Sequence, residues 1–254
     1  MNLDPYRAFM IELAQKSGEF IRPFFGRSDL QVDLKSDQSP VTVADTGAEE
    51  LMRGMINRKF PGHGILGEER GNERPDAEFV WVLDPIDGTK SFTAAVPLFG
   101  TLIALLHEGQ PLLGCIHQPI LGQLLVGDNR LTTLNGGPVT TRAARRIDGA
   151  TLLTSDPVMI ARPENRGFAA LMARARLART WGDCYGHLLV ATGRADVIFD
   201  PIMNLWDIAA LVPVIRGAGG VITDRGGGPA YPATSTVSAA NADVHRQVIE
   251  ALSA

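Results

Sequence analysis

Apolar residues recur along this chain at two spacings, and the switches between them outline its elements. Tyr6, Phe9, Met10, Leu13, Ala14, Phe20, Ile21 and Phe24 repeat at helical intervals, the stripe of an amphipathic helix with one core face. Asp4-Pro5 ahead of it reads as an N-cap followed by proline at the first helical position. The stretch DLKSDQSPVTVAD is polar and turn-rich and predicts a loop or short hairpin. A second helix follows, capped by Asp45, with Ala48, Leu51, Met52, Met55 and Ile56 as its stripe and Pro61-Gly62 as its stop.

Short apolar runs then take over. Residues 64–66 and 79–83 are strand-like and end in acids. Residues 101–106, 112–117 and 123–127, separated by the turn sequences EGQP and PILG, predict a β-meander. Asn135-Gly136-Gly137-Pro138 reads as a loop and as the boundary between two halves, residues 1–140 and 141–254, that share one compact catalytic unit. Beyond it, strands are expected at 151–154, 195–199 and 220–222, and helices at 164–173, 185–192, 207–217 and 241–252. Strands mixed with helices throughout imply layered α/β or α+β packing.

Composition narrows the class. The 254 residues, 45% apolar and 20% charged, describe an ordinary globular protein long enough to bury a sizeable core. A net charge of −4 without a long Lys/Arg run argues against nucleic acid as the main partner. An anionic substrate stays open, because bound cations reverse the sign of a local site. Two cysteines, Cys115 and Cys184, fit neither a disulfide framework nor a zinc pattern, and a reduced, cytoplasmic setting is expected. MNLDPYRAF shows no signal-peptide pattern, and no apolar segment is long enough to span a membrane.

The chemistry gathers in WVLDPIDGTKSF, where an apolar run ends in Asp84 and Asp87 around Pro85 and turns at once into Gly88-Thr89. Other acids stand where a buried element reaches the surface: Glu68 and Glu69 in ILGEERG, and Asp207 in NLWDIAA. Carboxylate oxygens are the natural ligands of Mg²⁺, a hard cation. Acids at i and i+3 around a proline converge if the chain turns there, and the carbonyl of Ile86 then supplies a further oxygen. A helix starting near Lys90 would offer free N–H groups to an anion, with Gly88 allowing close approach. Each acid also has a plainer role: Asp before Pro or Gly is commonly a turn residue, and a lone Asp207 or Asp45 is commonly a helix cap. Three separated acid motifs are less easily dismissed together.

Taken in order, PVTVAD, GEE, DPIDGT, WDIAA and GAGG resemble the inositol monophosphatase superfamily over nearly the whole chain. The resemblance implies the five-layered αβαβα sandwich of the inositol monophosphatase and fructose-1,6-bisphosphatase type. It implies metal ligation by Glu68, Asp84, the Ile86 carbonyl, Asp87 and Asp207, with two or three Mg²⁺ ions per site and inhibition by Li⁺. It assigns Asp45 and Thr89, with Glu68, to activating the attacking water, and the Gly88 and Thr89 N–H groups to phosphate. A small phosphorylated substrate and a homodimer belong to the same expectation. DPIDGTKSF, PLFGTLIAL and WGDCYGHLLVATGRADVIFDP are similar to the histidinol-phosphate phosphatases of this superfamily. There, Asp183 and Asp200 would face the non-phosphate end, beside Asp87 and Asp207. Two acids suit the cationic histidinol moiety better than the hydroxyls of inositol. The plainer role for Asp183 is a cap of the following helix. Lys90 is either a phosphate ligand or an exposed helix-start lysine, Trp206 is expected to pack behind Asp207, and the histidines show no ligand spacing. The same chemistry on inositol monophosphate or an adenosine bisphosphate, and a catalytically silent binding protein on this scaffold, are the rival readings.

Overall fold

The two large β-sheets of this protein are apolar on both faces, which forces helices onto every side of them. The structure is a computed structural model that describes residues 1–144 and 146–254. The larger sheet has eight strands in the order Gly137–Val139, Thr132–Leu134, Gln123–Gly127, Gln110–Gln118, Gly100–His107, Phe79–Asp87, Gly64–Gly67, Gly71–Glu73. Along Phe79–Asp87 the side chains alternate: Trp81 and Leu83 join a cluster with Phe9, Leu13, Met52 and Ile56 of the first two helices, Asp4–Ile21 and Val43–Lys59. Val80 and Val82 face the opposite way, toward the helices Asp183–Ala191, Leu205–Ala209 and Leu211–Gly217. Burial on both faces is why this strand reads as a continuous apolar run.

The same middle cluster takes in Leu153, Ile198 and Ile222 of a second sheet, five strands in the order Leu177–Arg179, Thr151–Leu153, Val197–Asp200, Thr236–Ala239, Val221–Thr223. The far face of that sheet is covered by Arg166–Arg174 and Ala242–Leu252, with Phe168, Leu171, Val244 and Val248 packed on Leu152, Val197, Phe199, Val237 and Ala239. The layers therefore run αβαβα, as expected.

Several boundaries differ from the sequence pattern for identifiable reasons. The polar DLKSDQSPVT stretch is a hairpin, Val32–Leu34 against Pro40–Thr42. Asp45 is not the cap of the second helix. Thr42 is, and Asp45 returns the favour from the N3 position as a capping box. Asn135-Gly136 is the turn of a hairpin at the edge of the larger sheet, so the chain crosses to the second sheet only after Val139. The expected helix 207–217 is two, Leu205–Ala209 and Leu211–Gly217, because Pro213 has no N–H to offer the Ala209 carbonyl. Gly114 and Gly127 let the second of these lie close on the sheet: a Cβ on Gly114 would sit 2.1 Å from the Ala210 carbonyl oxygen.

Candidate active site

The strand Phe79–Asp87 runs antiparallel to Gly100–His107, and its pairing slips between Asp84 and Asp87. Pro85 donates no ladder hydrogen bond, and its carbonyl instead accepts from the Thr101 hydroxyl at 2.8 Å. This bulge brings both acids to one side. Among the described residues, carboxylate oxygens of Asp84, Asp87 and Asp207 lie within 4.8 Å of one another. Asp84 is almost wholly buried, and its Oδ1 has no hydrogen-bond partner. Burial, with the charges of Glu68, Asp87 and Asp207 added, holds the Asp84 carboxyl well above its ordinary range. Burial and the charges of Asp183 and Asp207 do the same to Asp87 against the opposing Cys184 N–H, which donates to Asp87 Oδ2. Asp207 is pushed up to about 7 by burial, against the Asn204 N–H that donates to it at 2.6 Å and together with the Glu68 charge. It sits at N3 of Leu205–Ala209 in a capping box with Asn204, so the capping role and the place in the acid cluster coexist.

One buried and two half-buried carboxylates that repel one another, the buried one with an oxygen that nothing satisfies, fit a hard divalent cation. Glu68 stands just outside this trio. The Lys35 ammonium, carried by the hairpin, donates to Glu68 Oε1 and to Glu69 Oε1, each at 2.7 Å. Burial works against that ammonium, but the two carboxylates outweigh it and raise its pKa. Burial lifts Glu69 to about 7. The Ile86 carbonyl accepts from the Thr89 hydroxyl at 2.9 Å, and a carbonyl keeps a second lone pair.

Thr89 also lies 3.3 Å from Asp45 Oδ1, so hydroxyl and carboxylate form a pair beside the acid cluster. Burial raises the Asp45 carboxyl, opposed by hydrogen bonds from the Thr42 hydroxyl and N–H, at 2.6 and 2.8 Å. Gly88 sits at φ +88°, and a Cβ there would meet the Leu98 carbonyl oxygen at 2.9 Å and Asp183 Oδ2 at 3.0 Å. The position therefore needs glycine. The helix it starts, Thr89–Thr93, has only five residues.

Two adjoining cavities open here. One, of about 510 Å³, is lined by Lys35, Glu68, Asp84, Ile86, Asp87, Gly88, Thr89, Trp206 and Asp207. The other, of about 280 Å³, runs on to Ser155, Met159, Asp200, Ile202 and Met203, and the two share Asp87, Lys90, Asp183 and Asp207. Asp183 thus stands at the junction. It does not cap its helix: Gly182 is the N-cap, with no side-chain cap hydrogen bond. Burial and the nearby Asp200 charge push it up to about 7, opposed by Lys90. Lys90 lines both cavities. Asp200 lines the smaller one, yet it is buried and both its oxygens already have partners, Ser155 on one and His187 on the other. Trp206 lines the larger cavity and packs against the middle core cluster, and its indole nitrogen is buried without a partner.

Sequence reasoning missed Glu49. This fully buried glutamate accepts from the N–H groups of Glu69 at 2.7 Å and Arg70 at 3.0 Å and from Arg53 Nε at 2.7 Å, and so pins the turn that carries Glu68. Its signal, a Glu at i and an Arg at i+4 inside a helix, is indistinguishable from a surface pair. Cys115 is core, as expected, and Cys184 is buried beside Asp87. His187 is fully buried, and His63 accepts from the Trp81 indole N–H at 3.1 Å.

Fold and acid cluster together define a layered αβαβα protein with a site suited to a hard divalent cation. The sequence model of the inositol monophosphatase family matches residues 2–254. The histidinol-phosphatase of Chlorobaculum parvum is 42% identical over 253 residues, covering 98% of this chain and 97% of its own. The bifunctional phosphatase IMPL2 of Arabidopsis thaliana chloroplasts is also 42% identical, over 98% of this chain and 75% of its own length. An inositol monophosphatase structure from Zymomonas mobilis superposes with a TM-score of 0.89 at 36% identity, covering 100% of both chains. The protein is a phosphoric monoester hydrolase and belongs to the inositol monophosphatase family. The family is metal-dependent and acts on small phosphorylated substrates. No helix among the described residues is long and apolar enough to cross a membrane.

Proposed function

We propose that the protein is a Mg²⁺-dependent histidinol-phosphatase, releasing L-histidinol and phosphate as a step of histidine biosynthesis. The observation that carries this reading is Asp183. Its carboxylate lies against Gly88, at the junction between the acid-lined cavity and the cavity that continues to Ser155. A phosphoryl group seated at Gly88-Thr89 would leave the ammonium and imidazole of histidinol within reach of that carboxylate. A charged hydrogen bond there contributes about 1.5–3 kcal/mol, enough to separate a cationic substrate from a polyol. The 42% identity to a histidinol-phosphatase over nearly full length supports the same choice.

Glu68, Asp84, Asp87, Asp207 and the Ile86 carbonyl would hold the metal, in two or three ions that Li⁺ would antagonise. When bound, Mg²⁺ supplies an activated water and neutralises charge on the phosphoryl oxygens. Thr89 would orient the attacking water and take up its proton as its own hydroxyl proton passes to Asp45, whose raised affinity for protons suits a base. The Gly88 and Thr89 N–H groups hold the phosphoryl oxygens as charge develops. Asp183 aligns the leaving alcohol by its far end. A homodimer in the cytoplasm completes the reading.

Inositol 1-phosphate is the competing substrate, favoured by the likeness to the Zymomonas inositol monophosphatase. Asp183→Asn separates the two. Use of histidinol phosphate should fall by about 10–100-fold in kcat/KM, the equivalent of one charged hydrogen bond, while glycerol 2-phosphate is hydrolysed as before. A parallel fall on both substrates, or no fall on either, would remove Asp183 from the specificity argument.

A further inference from the structure

Asp183 has a backbone that an L-residue seldom adopts, φ +51°, and the structure shows what keeps it there. Its N–H donates to the Ser155 hydroxyl oxygen at 2.7 Å. That hydroxyl donates to Asp200 Oδ1 at 2.6 Å, and the Ser155 N–H adds a second bond to the same oxygen at 3.0 Å. The other oxygen of Asp200 faces His187 Nε2 at 3.3 Å, and His187 Nδ1 faces the Ser238 hydroxyl at 2.9 Å. A carboxylate only accepts, so Nε2 carries the ring proton that Asp200 receives. His187 and Ser238 are fully buried, and Asp200 is 4% exposed.

The topology explains how these groups meet. His187 follows Asp183 by one turn on the helix Asp183–Ala191, and so stands on the same face. Asp200 and Ser238 come from adjacent antiparallel strands of the smaller sheet, where Ser238 pairs with Ile198 and Asp200 with Thr236. Gly182 lets the helix start press on Ser155: a Cβ there would lie 2.2 Å from the Ser155 Cα. Helix and sheet are thus tied by a chain of directed bonds through an otherwise apolar interlayer. An apolar side chain at 187 would fill that space but leave the buried Asp200 Oδ2 and Ser238 hydroxyl without this partner. What the imidazole adds is direction.

We propose that His187 and Ser155 are positioning residues for the specificity end of the site. Ser155 holds Asp183 in its left-handed turn directly, and His187 fixes Ser155 through Asp200, so that together they aim the Asp183 carboxylate at the cavity junction. Asp200 then serves the substrate's far end indirectly, as the middle of this chain. The kinetic part rests on the reading of Asp183 as partner of the substrate's cation, whereas the conformational part does not.

Three variants and two readouts test it. His187→Leu breaks the chain in the interior, Ser155→Ala breaks it beside Asp183, and His187→Gln restores an amide donor toward Asp200. Crystal structures of the first two should show residue 183 relaxed to negative φ, with its carboxylate withdrawn from Gly88, and His187→Gln should return it. In kinetics, His187→Leu should raise KM for histidinol phosphate by about tenfold with kcat within about twofold, leave glycerol 2-phosphate unaffected, and add nothing in an Asp183→Asn background. If His187→Leu does not fold, Ser155→Ala decides alone. A carboxylate that keeps its place at positive φ, or losses that add to Asp183→Asn, would overturn the proposal. Absence of histidinol phosphate turnover in the wild-type enzyme would instead refute the substrate reading, and the crystallographic result would still decide this one.

Discussion

Asp84 is the residue on which the proposed metal site turns, because its Oδ1 is buried with nothing to satisfy it and its charged form is destabilised by burial and three neighbouring acids. Asparagine in its place keeps the shape and removes the charge. Asp84→Asn should therefore raise the melting temperature of the metal-free protein and abolish the further rise that Mg²⁺ gives the wild type. Its Mg²⁺-dependent turnover should fall by more than the roughly 10–100-fold that outer partners of a metal ligand contribute. A variant that melts lower without metal and keeps wild-type turnover at limiting Mg²⁺ would contradict the assignment. Thr89→Ala should act differently, lowering kcat at saturating Mg²⁺ while leaving the Mg²⁺ requirement within about twofold, because the role proposed for its hydroxyl is to orient the water rather than to ligate. At this scale the sequence was informative where an acid interrupts an apolar run, as Asp84 does. It was ambiguous where an acid opens a helix, because Asp45 and Asp207 cap and also face the site. It was silent for Glu49, whose burial depends on a turn 20 residues away that no local pattern encodes.

The elements that place these residues are a bulged strand end, a glycine turn and a pinned loop. Gly88→Ala would force a Cβ against the Leu98 carbonyl in a left-handed backbone, costing roughly 1–3 kcal/mol of stability and displacing the N–H groups beside the acid cluster. Denaturant melts and a raised KM for any phosphomonoester would register both effects, and full activity with unchanged stability would show that the turn is tolerant. Glu49→Ala should cost about 3–5 kcal/mol, because it leaves the buried Arg53 without its main partner. Glu49→Gln, which still accepts the Glu69 N–H, should lose less. Long amphipathic helices such as Asp4–Ile21 were legible because their stripes persist for several turns. The strand Thr236–Ala239 was not, because TVSA is buried on both faces while half its residues are polar. Leu177–Arg179 is a three-residue edge strand, too short to carry a period.

For the whole molecule, the αβαβα stack creates a cleft where the two sheets' connecting elements converge, and it concentrates acids there that no internal cation fully balances. That has a pH signature. Asp183, Asp207 and Glu69 are each raised to about 7 from ordinary values near 4, so the folded metal-free protein holds protons that the unfolded chain releases. Raised carboxyls contribute stability below the unfolded pKa that is lost as pH climbs through the folded one. The melting temperature in chelator should accordingly fall between about pH 4 and pH 8. Saturating Mg²⁺ should flatten that slope, because a cation favours the ionised forms. A metal-free stability that rises over the same range would show the cluster to be relieved in another way. The layered class was visible in the alternation of strand and helix patterns. The order of strands in each sheet was not, since sequence adjacency says nothing about Thr236–Ala239 pairing between Val197–Asp200 and Val221–Thr223.

On the function proposed above, this phosphatase is built for a cationic phosphomonoester. The decisive measurement is phosphate release from L-histidinol phosphate and from inositol 1-phosphate, side by side on the wild-type protein at one Mg²⁺ concentration. A kcat/KM at least about tenfold higher for histidinol phosphate is expected, matching one charged hydrogen bond at Asp183. Equal values, or a preference for inositol 1-phosphate, would contradict it.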